Sequence, residues 1–154
     1  MRVRPAAIAA LLALLAGPAA ADPASGRIVS LGGAVTETVY ALGAGDRLVA
    51  ADTTSIFPAE TDRLPKVGYV RSLGAEGLLS LAPDLILATE EAGPPAAIQA
   101  VAAAGVHVVR VGEGHGPEPA LARISAVGTA LGKEAEAAAL RASVARDFAT
   151  LRAA

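Results

Sequence analysis

The stretch Asp84-Leu85-Ile86-Leu87-Ala88 decides the fold of this 154-residue chain. Three large aliphatic residues in succession are typical of a strand that is buried on both faces, and such strands belong to parallel sheets covered by helices. Further short strands are predicted at 27–31, 47–51 and 106–111. The chain therefore contains the strands of a small parallel sheet.

Helical patterns separate these strands. Their predicted ranges are 34–42, 74–81, 94–104, 119–131 and 133–154. Alternation of strand and helix implies parallel pairing with right-handed crossovers, which predicts an α/β fold, a Rossmann-like layered parallel sheet with flanking helices. Residues 52–73 lack a helical period and contain Pro58 and Pro65, so they form a long connection of the kind that is more often functional than idle.

Composition excludes several classes of function. The chain has no cysteine, which removes disulfide scaffolds, zinc–cysteine sites, iron–sulfur clusters and thiol catalysis. The formal net charge is -2, and no basic run interleaves with aromatic residues, so nucleic acid is not an expected partner. The sequence shows no nucleophile–base pair, acidic dyad or phosphate-binding loop, which argues against an enzyme.

The first 21 residues predict a cleavable secretory signal. Arg2 and Arg4 form a positive start, residues 6–16 are apolar, and three alanines at 19–21 precede Asp22. An uncleaved membrane anchor is the alternative, but the apolar run is shorter than the ~20 residues that span a bilayer. Export of a cysteine-free chain predicts the bacterial periplasm as its location.

Three ordered segments resemble one protein family. They are RIVSLGGAVTE at 27–37, LPKVGY at 64–69 and LGAEGLLSLAPDLIL at 73–87. Together they are similar to the periplasmic substrate-binding proteins of bacterial ABC importers for haem, cobalamin and ferric siderophores, and most of all to the haem-binding branch. The resemblance extends over residues 22–154.

This resemblance implies one half of a two-lobed protein. In the family, a long helix joins two α/β lobes, and the ligand lies in the cleft between them. Residues 22–132 are then the N-terminal lobe, 133–154 resemble the start of the joining helix, and the second lobe is absent, so the chain is either a fragment or the product of a truncated gene. The resemblance implies a binding protein, not an enzyme, whose partner is an ABC permease and ATPase complex in the inner membrane.

The resemblance also gives roles to Tyr69 and Arg71. A phenolate oxygen is a hard ligand that binds ferric iron, as in catalase. Haem-binding members are similar to this sequence at Gly-Tyr-x-Arg, residues 68–71, and use that tyrosine on iron, so Tyr69 is the expected axial ligand of haem b. Arg71 is either a partner for a haem propionate or a solvated loop arginine. Tyr40 follows Val39 on the first helix and is expected to pack.

Two glycines and two glutamates are further candidates, each with an ordinary alternative. Gly32 and Gly33 precede a helix, where free backbone N–H groups favour an anion, although simple turn geometry explains them equally well. Glu76 either makes a favourable first-turn contact with the helix dipole or, as the resemblance implies, docks on arginines of the permease. Glu37 is a weaker docking candidate and is otherwise a solvated helix residue.

The two histidines have different expected roles. His107 lies within a predicted strand and is expected to be a hydrogen-bonded structural residue. His115 follows a strand end, where ligands of open α/β sheets gather, and is a weaker candidate ligand for the iron. Two histidines do not readily build the nitrogen-rich sites of zinc or manganese capture.

The leading hypothesis is periplasmic capture of haem and its delivery to an ABC permease. Within the same family, cobalamin or a ferric siderophore is the alternative ligand. A truncated remnant that no longer binds ligand is a further alternative, and a small secreted α/β enzyme is the alternative from a different class.

Overall fold

The computed structural model describes residues 26–153, in which a four-stranded, all-parallel sheet forms the centre. Its strands are β1 (Ile28–Leu31), β2 (Leu48–Ala51), β3 (Leu85–Thr89) and β4 (His107–Val111). They lie side by side in the order β2-β1-β3-β4, so that β2 and β4 form the edges. The predicted α/β parallel sheet is confirmed, whereas the predicted signal at 1–21 lies outside the described residues.

Five α-helices connect and cover the strands within residues 26–153. They are α1 (Gly33–Ala41), α2 (Ala75–Ser80), α3 (Pro95–Ala103), α4 (Pro117–Leu131) and α5 (Glu134–Ala153). Helix α4 begins two residues earlier than predicted because Pro117 occupies its first position, where a missing N–H is harmless. None of the five combines the length and the apolar character of a membrane-spanning segment.

Side chains of the central strands alternate between two apolar layers, as the period of a strand requires. On β3, Leu85 and Leu87 belong to the layer that includes residues of α1 and α4, whereas Ile86 and Ala88 belong to the layer that includes residues of α2 and α3. All residues of β3 are buried. Strand β3 is therefore covered on both faces, which confirms the prediction from its sequence.

Helix α5 packs against α4 where two small residues meet. A Cβ atom placed on Gly128 would lie 2.3 Å from the Cβ of Ala137, so the helices approach closely at this point. Ala137 is buried, and the charged side chains of α5 lie on its accessible surface. That α5 begins a joining helix stays a prediction.

Candidate functional site

The carboxyl ends of the four strands lie together on one side of the sheet, which we call the carboxyl edge. The chain around Tyr69 is attached to this carboxyl edge. Beyond β2 the chain returns beside the strand: the N–H of Val67 donates to the carbonyl of Ala51 at 3.0 Å, and the N–H of Thr53 donates to the carbonyl of Gly68 at 2.9 Å. Gly68 has a φ of +104°, a conformation that favours glycine. The backbone directly before Tyr69 is thus held in place at the carboxyl edge, where ligands of open α/β sheets bind.

A second attachment joins the segment of residues 68–73, which we call the Tyr69 segment, to the loop after β3. The N–H of Gly93 donates to the carbonyl of Val70 at 2.9 Å, and the N–H of Leu73 donates to the carbonyl of Gly93 at 2.8 Å. The side chains of Val70 and Leu73 are buried in the layer that includes α2 and α3. The backbone of the Tyr69 segment is therefore held on both flanks.

The two tyrosines have different surroundings. Tyr69 is 50% exposed, so that its side chain is open to a ligand. Tyr40 packs against the core as predicted, and burial, together with the charge of Glu60, raises the pKa of Tyr40 against the opposing effect of Arg63. A raised pKa disfavours the phenolate, which is the form that binds ferric iron. Tyr40 is thus poorly suited to bind iron, and iron ligation by Tyr69 stays a prediction.

Arg71 forms an ion pair with Glu91, which lies in the loop after β3. Nη2 of Arg71 donates to Oε2 of Glu91. The two side chains are 56% and 47% exposed, and exposed pairs contribute about 0–1 kcal/mol to stability. A carboxylate of a ligand can therefore replace Glu91 at small cost. No local pattern around Arg71 indicates this internal partner.

Asp52, directly after β2, is a fully buried carboxylate that sequence reasoning missed. Its Oδ1 accepts hydrogen bonds from the N–H of Gly32 and the hydroxyl of Ser55, both at 2.8 Å. Its Oδ2 accepts from the N–H and the hydroxyl of Thr54, at 2.9 and 2.6 Å. Four donors meet the requirement of a carboxylate removed from water. The sequence Asp-Thr-Thr-Ser at 52–55 was the available signal, because these residue types bond to nearby backbone.

A chain of buried hydroxyl groups continues from Asp52 beneath the carboxyl edge. Oγ of Ser55 lies 2.7 Å from Oγ1 of Thr36, which in turn lies 2.6 Å from Oγ of Ser30. Nζ of Lys66 donates to the carbonyl of Ser55 at 2.7 Å. These contacts join β1 and α1 to the connection that follows β2, and so stabilise the base from which the Tyr69 segment departs.

The glycine N–H groups predicted to bind an anion already have acceptors within the chain. Gly32 donates to Asp52, and Gly33 donates to the hydroxyl of Thr54 at 3.2 Å. A ligand carboxylate would have to displace both acceptors. We therefore do not retain the two glycines as ligand donors, since Asp52 supplies the negative charge that the start of α1 favours.

Replacement of Gly32 by Ala should destabilise the carboxyl edge. Gly32 has a φ of +113°, and a Cβ atom would lie 2.2 Å from the methyl carbon of Thr89 on β3. We expect the free energy of unfolding, measured in urea, to fall by about 2 kcal/mol through strain and overpacking. Gly43→Ala is the control, because Gly43 has a φ of +68° but open space around it. An equal loss in both variants would contradict a steric contribution from Thr89.

Arg110, on β4, is a second residue that sequence reasoning missed. Its Nη1 donates to the carbonyls of Thr89, Glu90 and Ala92 at 2.9, 3.1 and 2.9 Å. The donor is 18 to 21 residues away from these acceptors along the chain. No local pattern could indicate the contact, because it depends on β3 and β4 lying side by side.

The histidines lie near opposite ends of β4. His107 begins this edge strand and is exposed, with no side-chain hydrogen bond to the described residues, so its prediction as a hydrogen-bonded structural residue is wrong. His115 is exposed in the loop after β4, on the carboxyl side as predicted. It makes no hydrogen bond to the Tyr69 segment, and within residues 26–153 no three His, Asp or Glu side chains form a metal-binding group.

Both glutamates considered for docking are exposed on helices. Glu76 lies in the first turn of α2, directly after the Tyr69 segment, where a negative charge is favourable. Glu37 lies within α1, and its exposure fits both docking and the ordinary alternative of a solvated helix residue. Docking by Glu76 stays a prediction.

A cavity of about 950 Å³ lies at the opposite, amino edge of the sheet. Its walls include Leu85 and His107 from the starts of β3 and β4 and Ala126 from α4. Because Tyr69 and Arg71 belong to the carboxyl edge, this cavity is separate from the candidate site.

A family model places the chain in a known class of protein. The model, described as periplasmic binding protein, matches residues 28–154. The chain belongs to the periplasmic binding protein family. Members of this family are solute-binding proteins, not enzymes, and they work with ABC transporters.

This periplasmic binding protein is similar to solved structures of haem-binding proteins. The periplasmic heme-binding protein BhuT, in complex with two hemes, is 48% identical with a TM-score of 0.78, over 81% of this chain and 48% of BhuT. The periplasmic heme-binding protein HutB of Vibrio cholerae is 40% identical with a TM-score of 0.77, over 82% of this chain and 49% of HutB.

A curated relative of this periplasmic binding protein has a different printed ligand. The vitamin B12-binding protein of Yersinia pseudotuberculosis is 37% identical over 103 residues, which are 67% of this chain and 36% of that relative. The chain thus spans about a third of the curated relative and about half of the two solved proteins.

Proposed function

We propose that this chain is the N-terminal lobe of a periplasmic protein that captures haem and delivers it to an ABC permease. The observation that carries the proposal is the exposed side chain of Tyr69 on a segment held at the carboxyl edge of the sheet. The identities to BhuT and HutB support haem as the ligand.

The chemistry of the edge suits ferric haem. A phenolate from Tyr69 supplies a hard, negatively charged oxygen to the iron. Arg71 belongs to the same segment and pairs with a carboxylate already, so that a haem propionate is an equivalent partner for its guanidinium. An axial ligand and a propionate partner two residues apart together orient the macrocycle.

Cobalamin is the second candidate ligand, because the relative from Yersinia is a vitamin B12-binding protein. The cobalt of cyanocobalamin already carries two axial ligands, so its binding has no need of the Tyr69 phenolate. Ferric siderophores, which enclose their iron in their own oxygen ligands, have no such need either. Dependence on Tyr69 therefore separates haem from both alternatives.

Absorbance titrations distinguish these ligands directly. The purified chain is titrated with hemin and, in parallel, with cyanocobalamin at micromolar concentrations. We expect hemin to give a saturable shift of its Soret band with one equivalent bound. Binding of cyanocobalamin alone would replace the proposal with the cobalamin alternative, and binding of neither would contradict the proposal in favour of a remnant that no longer binds ligand.

Glu76 is proposed to contact basic side chains of the permease, and a charge reversal tests this role. In membrane vesicles that contain the transporter, we expect Glu76→Lys in the haem-loaded protein to raise the concentration for half-maximal ATPase stimulation about 10-fold, or ~1.4 kcal/mol. The hemin titration should not change. Glu134→Lys is the control, because Glu134 is also exposed in the first turn of a helix. Equal loss in both variants would contradict docking at Glu76.

A further inference from the structure

We infer that Arg110 is a positioning residue for Tyr69. It holds the loop after β3, and this loop holds the Tyr69 segment. The inference rests on the proposed function, because one of its two consequences is measured as haem binding.

The first step is the contact between Arg110 and the loop after β3. A single nitrogen, Nη1, lies 2.9 to 3.1 Å from three carbonyl oxygens of residues 89–92. Hydrogen bonds from a charged donor are about twice as strong as those between neutral groups. The N–H of Ala92 also donates to the carbonyl of Thr89 at 3.1 Å, which closes the turn around this nitrogen. Arg110 therefore sets the shape of the turn.

The second step is the contact between this turn and the Tyr69 segment. Gly93 follows Ala92 directly and exchanges two backbone hydrogen bonds with Val70 and Leu73. Glu91, within the same turn, pairs with the guanidinium of Arg71. Three contacts thus transmit the position of the turn to the residues on the carboxyl side of Tyr69.

A general role in stability and a positioning role predict different results. If Arg110 only stabilised the lobe as a whole, its loss would accelerate hydrogen exchange of every amide that exchanges through global unfolding. If Arg110 positions the Tyr69 segment, its loss would accelerate exchange of the amides of Leu73 and Gly93. The exchange rate of Ile86, on the central strand β3, would not change. Because one nitrogen makes all three contacts, the ammonium group of a lysine can replace it, whereas the neutral amide of glutamine cannot replace its charge.

The experiment compares Arg110→Gln and Arg110→Lys with the unchanged chain. Arg141→Gln is the matched control, because Arg141 is exposed on α5 and makes no side-chain hydrogen bond to the described residues. We expect R110Q to accelerate exchange of Leu73 and Gly93 about 10-fold, R110K about 3-fold, and R141Q not at all. Exchange of Ile86 should stay the same in all three.

Haem binding provides the second measurement. We expect R110Q to raise the apparent Kd for hemin about 10-fold and to alter the Soret band of the bound form, while R110K retains the unchanged spectrum. Wild-type protection of Leu73 and Gly93 in R110Q, or acceleration shared by Ile86, would overturn the inference. If R110Q does not fold, the selective acceleration in R110K decides in the same way.

Failure of the inference and failure of the proposed function are distinguishable. If the unchanged chain does not bind hemin, the proposed function fails, yet the exchange rates still decide whether Arg110 holds the Tyr69 segment. If hemin binds with a normal spectrum in R110Q, the proposed function survives and the positioning role does not.

Discussion

Tyr69→Phe is expected to abolish the Soret shift that hemin produces with the unchanged chain. The substitution removes one oxygen and leaves the ring in place, so the iron loses its proposed ligand while the surroundings are kept. We expect an affinity loss of about 100-fold, ~2.8 kcal/mol. Since the side chain is half exposed, the free energy of unfolding should change by less than about 0.5 kcal/mol.

Tyr40→Phe provides the matched control for this result. It makes the same chemical change at the tyrosine that packs against the core, and we expect an unchanged hemin titration. A full Soret shift in the Tyr69→Phe variant would refute iron ligation by Tyr69, and a loss in both variants would show that the effect is not specific to the carboxyl edge.

Asp52→Ala is expected to have the largest effect on stability. The substitution leaves four donors without an acceptor, namely two N–H groups and two hydroxyls, at a position where the side chain is fully buried. An unsatisfied buried donor costs about 1–3 kcal/mol, and some of these groups can turn to other acceptors. We therefore expect the free energy of unfolding, from urea titration, to fall by about 3–4 kcal/mol.

Asp62→Ala is the control for this prediction, because Asp62 is exposed in the connection after β2. We expect it to change the free energy of unfolding by less than about 0.5 kcal/mol. A loss of under 1 kcal/mol in Asp52→Ala would mean that the four hydrogen bonds have ready replacements and do not hold the edge together.

Much of the fold could be predicted because its signals are local. The run at 85–87 reports burial on both faces within three residues, and glycine and proline mark the ends of the helices close to where the structure has them. Burial along β4 is less regular, because this strand lies at the edge. The position of a strand within the sheet cannot be inferred from the strand's own residues, so the exposure of His107 on an edge strand could not be predicted.

The candidate site was less predictable, since its contacts join distant parts of the chain. The exposure of Tyr69 agrees with its place in a proline-containing connection. In contrast, the bond from Gly32 to Asp52 spans 20 residues, and the pair of Arg71 with Glu91 spans 20 as well. Such partners follow from which strands are neighbours, and strand order is the step that residue patterns leave open.

The double attachment of the Tyr69 segment has a consequence for the kinetics of capture. Ordering a free loop costs about 1–2 kcal/mol of conformational entropy for each residue, and here that cost is met during folding. A preorganised segment has little left to order when a ligand arrives. Differences in affinity among competing ligands should then lie in their dissociation rates, with association rates that vary little from one ligand to another.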